Sequence, residues 1–417
     1  MRSCAKQSLT RWPQIFSTGK SLNFIKYSCH DTDWVATQNA LHSTTSGKKS
    51  LEYADMAGLE RSISLAFEIA SRRLFEIFFE KFRLLDHLRA LKDYLMLGRG
   101  DFVELLMENL GPSLVRPANT LYRHNLTATL ETALRGSSSA SDHPDVVRRL
   151  DARMLEFSHG ETGWDVFTLE YKIDAPLDTV LDPAAMDSYL KMFNQLWRTK
   201  RVERTLGEVW RRLITGARTF ARVPELSFDF HQVRIALAEM VHFIRQLQYY
   251  CHLEVIGCSW QSLEEFASKK QGDLDALIQA HRTYLTRLVN KALLLGTKRG
   301  KDGELLYKVR ELFQLALQFC AAADSLCNYA LREASRLEDL RDMDRDPGTD
   351  YGASLDEPSP EVINGIRARL AEYSTGFRDG VSGLVTLLAG ASDLDMRFLS
   401  VRINFNLHYL KAKQGKK

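Results

Sequence analysis

Few residues in this chain have the type and spacing that chemistry requires. Thr18-Gly19-Lys20-Ser21 has the ending of a phosphate-binding loop. Such a loop needs a second glycine five positions before Gly19, where Gln14 stands, and a preceding strand, so a nucleotide site is rejected. Asp342, Asp344 and Asp346 repeat at calcium-loop spacing. Pro347 follows where the turn needs glycine, and Ala353 occupies the position of the bidentate glutamate, so a solvated acidic loop is the expectation. The six cysteines form no CxxC pair. Cys251 with Cys258, and Cys320 with Cys327, are each seven apart, which puts each pair on one helix face and suits core packing in a reducing compartment. There is no HExxH motif, and the 11 histidines are scattered, so neither a metal nor a cofactor is expected.

The remaining cluster is basic. Arg198, Lys200, Arg201, Arg204, Arg211 and Arg212 crowd one segment. They could form a solvated helix face, a dock for an acidic protein or a nucleic-acid patch. A net charge of only +3 over 417 residues, with no nucleic-acid module, argues against nucleic acid as a partner. A composition of 45% hydrophobic and 26% charged residues is that of a globular chain, and no uncharged run is long enough to insert into a membrane.

The elements that must position these residues read as helical. Ten prolines in 417 residues favour long helices. Ile69, Leu74, Phe78, Phe82, Leu85, Leu88, Leu91 and Leu95 predict one helix running over 63–97. Asp182-Pro183 opens a second helix, carrying Tyr189, Phe193, Trp197, Leu206 and Leu213. A third runs from Val233 to Cys251, and a fourth follows Asp273 as its cap. In the fifth, Leu306, Phe313, Cys320, Cys327 and Ala334 recur by sevens beside Val309, Ala316, Ala323, Ala330 and Leu337, a seam whose small residues let a partner helix approach closely. Phe167, Leu169, Tyr171 and Ile173 alternate instead, predicting a strand or hairpin within 162–174, and Val401, Ile403, Phe405 and Leu407 alternate too briefly to decide. The fold class expected is mainly α: consecutive helical bundles with one short β-hairpin or strand excursion. Residues 37–49 read as a linker, and 136–142 and 340–360 as mobile loops. Before Asp31 the chain is basic and acid-free, so the alternative reading is a mitochondrially targeted helical protein with residues 1–30 as presequence.

Several long stretches resemble the C-terminal half of the gamma-tubulin complex component family. They are FRLLDHLRALKDYLMLGRGDF (82–102), LVRPANTLYRHNLTATLETALR (114–135), VVRRLDARMLEFSHGETGWDVFTLEYKIDAPLDTV (146–180), YLKMFNQLWRTKRVE (189–203), ALAEMVHFIRQLQYYCHLEVIGCSW (236–260) and RFLSVRINFNLHY (397–409). FSTGKSLNFIKYSCHD (16–31) is similar to the end of the N-terminal half. Lacking a proline-tyrosine-proline run after IDAPLDTV, the chain resembles the component 3 branch more than component 2.

The resemblance implies a non-enzymatic scaffold of microtubule-organising centres and spindle poles. Its C-terminal half holds one gamma-tubulin, and its N-terminal half packs laterally against neighbours such as component 2, so that a ring of gamma-tubulins nucleates microtubules. Any nucleotide belongs to gamma-tubulin. It further implies that residues 1–50 are a remnant of the lateral-contact half plus a linker, and that 51–417 are the gamma-tubulin-binding domain. Within the family-like stretches, the polar residues that helix packing leaves unexplained are the candidate contacts: Arg116, Asn119, Tyr122, His124, Asn125, Arg198, Arg201, Arg402 and Asn406. Trp164 and Asp165 are expected to fix a local turn, and Pro117 to start a helix.

Overall fold

The computed structural model describes residues 12–28, 31–45, 56–156, 158, 160–269, 273–292, 304–345 and 360–409. These are mainly helical, with one two-stranded antiparallel sheet and short connecting turns, in agreement with the expected class. Two compact units result: residues 1–194 with 257–289, and residues 195–256 with 290–417.

Unit 1 begins with α1 (Trp12–Ser28), α2 (Asp31–Thr45) and α3 (Met56–Glu76). The expected linker is therefore helical up to Thr45, and Thr37 is buried; residues 46–49 lie outside the described residues. Thr18 to Ser21 sit inside α1, where backbone N–H groups bond to the preceding turn and cannot cradle a phosphate. Of the residues weighed as a removable presequence, 12–28 form α1 and pack into the unit: Ile25 is fully buried and Phe24 stacks on Phe78 at 5.3 Å; residues 1–11, 29 and 30 lie outside the described residues.

The single helix expected over 63–97 is broken. α3 widens into a π-helical turn at Ile77–Lys81, and Arg83 adopts a left-handed conformation (φ 47°, ψ 42°) before α4 (Leu84–Ala90) and a second π turn, Leu91–Leu95. Apolar spacing continued across the break because both segments bury the same kind of face, and periodicity is blind to one left-handed residue between them.

α5 (Gly100–Leu114) and α6 (Arg123–Gly136) pack together. The expected loop at 136–142 is instead a 3-10 turn, Ser138–Ser141, with Ser139 buried. Asp142 follows it, accepting hydrogen bonds from Tyr94 (2.6 Å) and from both terminal nitrogens of Arg99 (2.8 and 3.1 Å). After α7 (Pro144–Arg148), β1 (Leu150–Met154) pairs with β2 (Phe167–Tyr171), Leu150 opposite Tyr171 and Met154 opposite Phe167. The strand was legible only in β2. β1 is a five-residue LDARM segment with two charges and no β-branched residue, so it carries no strand signal of its own. Between the strands, α8 (Gly163–Val166) is fixed by Asp165, which accepts hydrogen bonds from the Thr162 hydroxyl (2.8 Å) and Thr162 N–H (3.4 Å), as expected of a turn-setting residue.

α9 (Pro183–Thr215) starts at the predicted cap: Asp182 accepts from Ala185 N–H at 2.8 Å. Its first turns belong to unit 1. There the Tyr189 hydroxyl lies 3.0 Å from His281 Nε2, both fully buried. Burial drives the His281 imidazole down to about 4, only partly offset by the Val180 backbone and the Asp182 charge. The unfolded chain binds this proton near pH 6.5 and the folded chain does not. The stability is therefore complete above 6.5 and is lost as pH falls toward 4, by about 2 kcal/mol at pH 5. His87 and His242, also held low chiefly by burial, act in the same direction. Chemical denaturation at pH 7.5 and pH 5 checks this, and equal stability at both values contradicts it.

In unit 2, α9 continues and is followed by α10 (Ala217–Phe220) and α11 (Ser227–Tyr249), which extends as a π turn over Tyr250–Gly257. Cys251 is buried but Cys258 exposed: the π turn's wider winding takes the second cysteine off the shared face expected of them. α12 (Cys258–Lys269) and α13 (Leu274–Ala292) return to unit 1, α13 up to Val289, and Asp273 caps α13 by accepting from Ala276 N–H at 2.9 Å, as predicted.

α14 (Glu304–Arg345) carries the heptad seam, with Val309, Phe313, Ala316, Cys320, Ala323, Cys327, Ala330 and Ala334 all buried. Its partner is α15 (Pro360–Ala389). Close approach uses glycine on the partner as well: a Cβ on Gly380 would stand 2.8 Å from Leu312 Cδ2. Phe243 of α11 meets Phe377 of α15 edge-on at 5.6 Å. Residues 340–345 continue α14 and Pro360 opens α15; residues 346–359 of the expected loop, Asp346 among them, lie outside the described residues. α16 (Leu394–Ile403) then packs on α15 and α11, and a 3-10 turn, Phe405–Leu407, follows. The brief alternation at 401–407 is thus helix and turn, not strand.

Candidate docking surfaces

The candidate residues fall into three groups. The first lies in unit 1. α5 ends at Leu114 beside Pro112, and the chain then turns through an extended Pro117 that bridges to Thr162. Ala118 N–H donates to Glu161 O (3.0 Å) and Gly163 N–H to Arg116 O (3.1 Å), so the segment is tied to the 161–163 turn from both directions. Pro117 opens a single 3-10 turn, Ala118–Thr120, and not the α-helix expected of it, which starts at Arg123. This route leaves Arg116, Asn119, Tyr122, His124 and Asn125 all exposed within ten residues, beside the exposed Val115. Tyr122 stacks on His124 at 5.7 Å. Beneath them Asp151, 15% exposed, holds Arg123 at 2.8 Å and Lys172 at 3.0 Å. Burial alone would raise its carboxyl, and the hydrogen bonds from Lys172 and Arg123 outweigh burial, so its pKa lies below the usual range. The surface is therefore polar, aromatic and set on fixed backbone.

The second group lies in unit 2, on α16 and the turn after it. Asp393 caps the helix by accepting from Asp395 N–H at 3.0 Å. Met396, Leu399, Ser400 and Ile403 face the core. Leu394, Phe398 and Val401, spaced by four and three, face outward, the last two 54% and 67% exposed, and Phe405 and Leu407 extend the stripe. Arg402 lies over the Tyr249 ring at 4.5 Å, and its Nη1 is 2.7 Å from Glu254 Oε1, a charge contact without hydrogen-bond alignment. It therefore ties α16 to α11, with exposed Tyr249 and Leu253 at the same edge. Asn406 is exposed in left-handed conformation (φ 59°), as is Leu407 (φ 56°), a bend that Asn404 closes by accepting from Tyr409 N–H at 3.0 Å.

The third group, Arg198 and Arg201, is half-buried along α9. Neighbouring cations of that segment are engaged within the chain: Lys200 with Glu203 (2.8 Å), Arg204 with Glu208 (2.7 Å) and Arg212 with Asp324 (2.9 Å). Burial and the like charge of Arg198 lower the Arg310 guanidinium. The basic run that stood out in sequence is largely internal neutralisation.

Choosing polar residues over apolar ones missed the apolar stripe of α16. Its signal was present. A ten-residue helix with Met396, Leu399 and Ile403 on one face and Leu394, Phe398 and Val401 on another has more apolar surface than one bundle contact consumes. Among the described residues, no group of histidine, cysteine, aspartate and glutamate could hold a metal ion, and no helix is long and apolar enough to cross a membrane. Extended exposed apolar surface is what a protein partner would use.

Comparison with known proteins points to one family. The family model described as gamma tubulin complex component C-terminal matches residues 84–409, and that described as gamma tubulin complex component N-terminal matches residues 9–81. The two matches meet at the left-handed break around Arg83. The chain is 42% identical over 402 residues to spindle pole body component alp6 of Schizosaccharomyces pombe, covering 96% of this chain and 46% of that protein. It is 38% identical over 415 residues to the gamma-tubulin complex component 3 homolog of Xenopus laevis and 37% over 422 residues to gamma-tubulin complex component 3 of Homo sapiens, each covering 96% of this chain and 45% of the relative. The chain thus spans about half the length of the curated relatives it matches. With a family model covering most of its length and such relatives across nearly all of it, the chain belongs to the gamma-tubulin complex component family.

Proposed function

We propose that this chain is a gamma-tubulin-holding scaffold of the component 3 type. It supports microtubule nucleation at spindle poles and other microtubule-organising centres by presenting a fixed surface, and breaks no bonds itself. The observation that carries this reading is the outward apolar stripe of α16, which lies inside the region matching the family's C-terminal model. A rigid partner bound without large rearrangement needs preformed aromatic and aliphatic anchors with a polar rim. Phe398, Val401 and Phe405 supply the anchors; Arg402 and Asn406 stand at the rim. In unit 1, Arg116, Asn119, Tyr122, His124 and Asn125 form a second contact zone. Arg198 and Arg201, being half-buried, are secondary. The N-terminal region, through residue 81, takes the lateral contacts with a neighbour such as component 2, which moves the proposed division from residue 50 to the break at Arg83.

Co-expression with gamma-tubulin tests the central claim. The expected result is co-elution at a one-to-one ratio in size-exclusion chromatography with light scattering. A folded chain that elutes alone at micromolar concentration would overturn it.

A further inference from the structure

Unit 1 contains a cleft of about 280 Å³ at the break between α3 and α4. Its walls come from Lys81 to Arg83, from His143 to Arg149 around α7, and from the turn at Asp174 to Leu177. Three cationic side chains line it, Lys81, Arg83 and Arg149, with two histidines, His87 and His143, against two carboxylates, Asp145 and Asp174. The positive field reaches the buried His87, whose imidazole is held low by burial and then by the Arg149 charge.

The cations are unequally engaged. Arg149 is 17% exposed and contacts Asp174 at 3.0 Å and Asp145 at 3.4 Å, while also donating to Lys172 O at 3.3 Å. Its Asp174 partner is 76% exposed, so that carboxylate can turn into solvent without burying its charge. Arg83 is exposed and has no side-chain partner among the described residues, although the backbone there takes a left-handed conformation that an arginine rarely adopts. An internal carboxylate therefore already occupies an anion position on one guanidinium, and the second guanidinium lines the same cleft unanswered.

The geometry points to an anion site in this cleft, bounded by Arg83 and Arg149, that takes the phosphate of a phosphomonoester. A dianion with three acceptor oxygens can engage both guanidinium forks with charge-assisted bonds, which the single Asp174 carboxylate does not. It enters by displacing Asp174 into solvent, and Asp174 competes with it. The same chemistry arises from a phosphorylated serine or threonine side chain or from free small phosphate.

The test uses the full chain at pH 7.5, titrated with inorganic phosphate, with a phosphoserine peptide and with its unphosphorylated counterpart, read by phosphorus NMR line broadening and calorimetry. Asp174→Asn is expected to tighten phosphate binding about threefold or more by removing the competitor, and Arg83→Gln to weaken it about fivefold or more. Arg83→Gln should leave the unfolding midpoint unchanged, because that side chain holds nothing else in place. Tighter binding of the phosphopeptide than of inorganic phosphate assigns the source to a modified protein; equal binding assigns it to free phosphate. Identical binding by the wild type and Arg83→Gln, or no binding by Asp174→Asn at about 10 mM phosphate, overturns the proposal.

Discussion

Replacing Phe398 and Val401 together by aspartate is expected to weaken the proposed association with gamma-tubulin by about a thousandfold, at two anchors of about 2 kcal/mol each. Both side chains are more than half exposed and lie on the α16 face opposite Met396, Leu399 and Ile403. The substitution therefore leaves the helix's core contacts intact, and thermal stability should change by no more than about 0.5 kcal/mol per site. That pairing of outcomes distinguishes a docking surface from a packing surface. If the variant unfolds early, α16 needs those residues for the fold. If it stays folded and still binds with wild-type affinity in a titration, the stripe is not the contact and the docking reading of α16 fails. Arg402→Ala provides a contrast. Because Arg402 is held by Tyr249 and Glu254, part of its effect should appear as loosening of α16 and not only as lost affinity.

Gly163→Val is expected to destabilise the protein by about 3 kcal/mol, the upper end of the usual cost of overpacking. A Cβ at this position would stand 2.6 Å from Leu121 Cδ1, 2.8 Å from Leu114 Cα and 3.0 Å from Leu114 O. Two of the three are backbone atoms at the end of α5 and cannot rotate away. The substitution must push apart the turn at 161–163 and the segment carrying Arg116 through Asn125, where Gly163 N–H also donates to Arg116 O. Thermal unfolding reads the stability, and hydrogen exchange should show faster exchange at Ala118 and Gly163. An unchanged midpoint would mean that the close approach is not needed. Gly207, on α9, has no atom within 4 Å of a built Cβ, so Gly207→Ala serves as the tolerated control.

Much of the fold was legible because helical periodicity is a local property. The α14 seam, the caps at Asp182 and Asp273, and strand β2 each follow from which residues share a face or which oxygen reaches an orphan N–H. The breaks were not legible. Arg83 in left-handed conformation interrupts an unbroken apolar pattern, and the π turn after α11 separates Cys251 from Cys258 with no change in residue type that would announce it. β1 became a strand only because β2 was available to pair with it.

The candidate site divided along the same line. Five of the candidates taken from the family-like stretches lie together, exposed, between 116 and 125. Which residues face a partner was decided elsewhere. Whether Arg402 is available or already held, and whether Phe398 points inward or outward, depends on what packs against α16. By itself, the order of residues determined the helical class, the family and the main helix starts, since these rest on interactions within a few turns of chain. Tertiary structure alone decided which apolar face remained uncovered and which arginines, such as Arg212 and Arg402, were held by distant carboxylates, because those neighbours, Asp324 and Glu254, lie more than a hundred residues away in the chain.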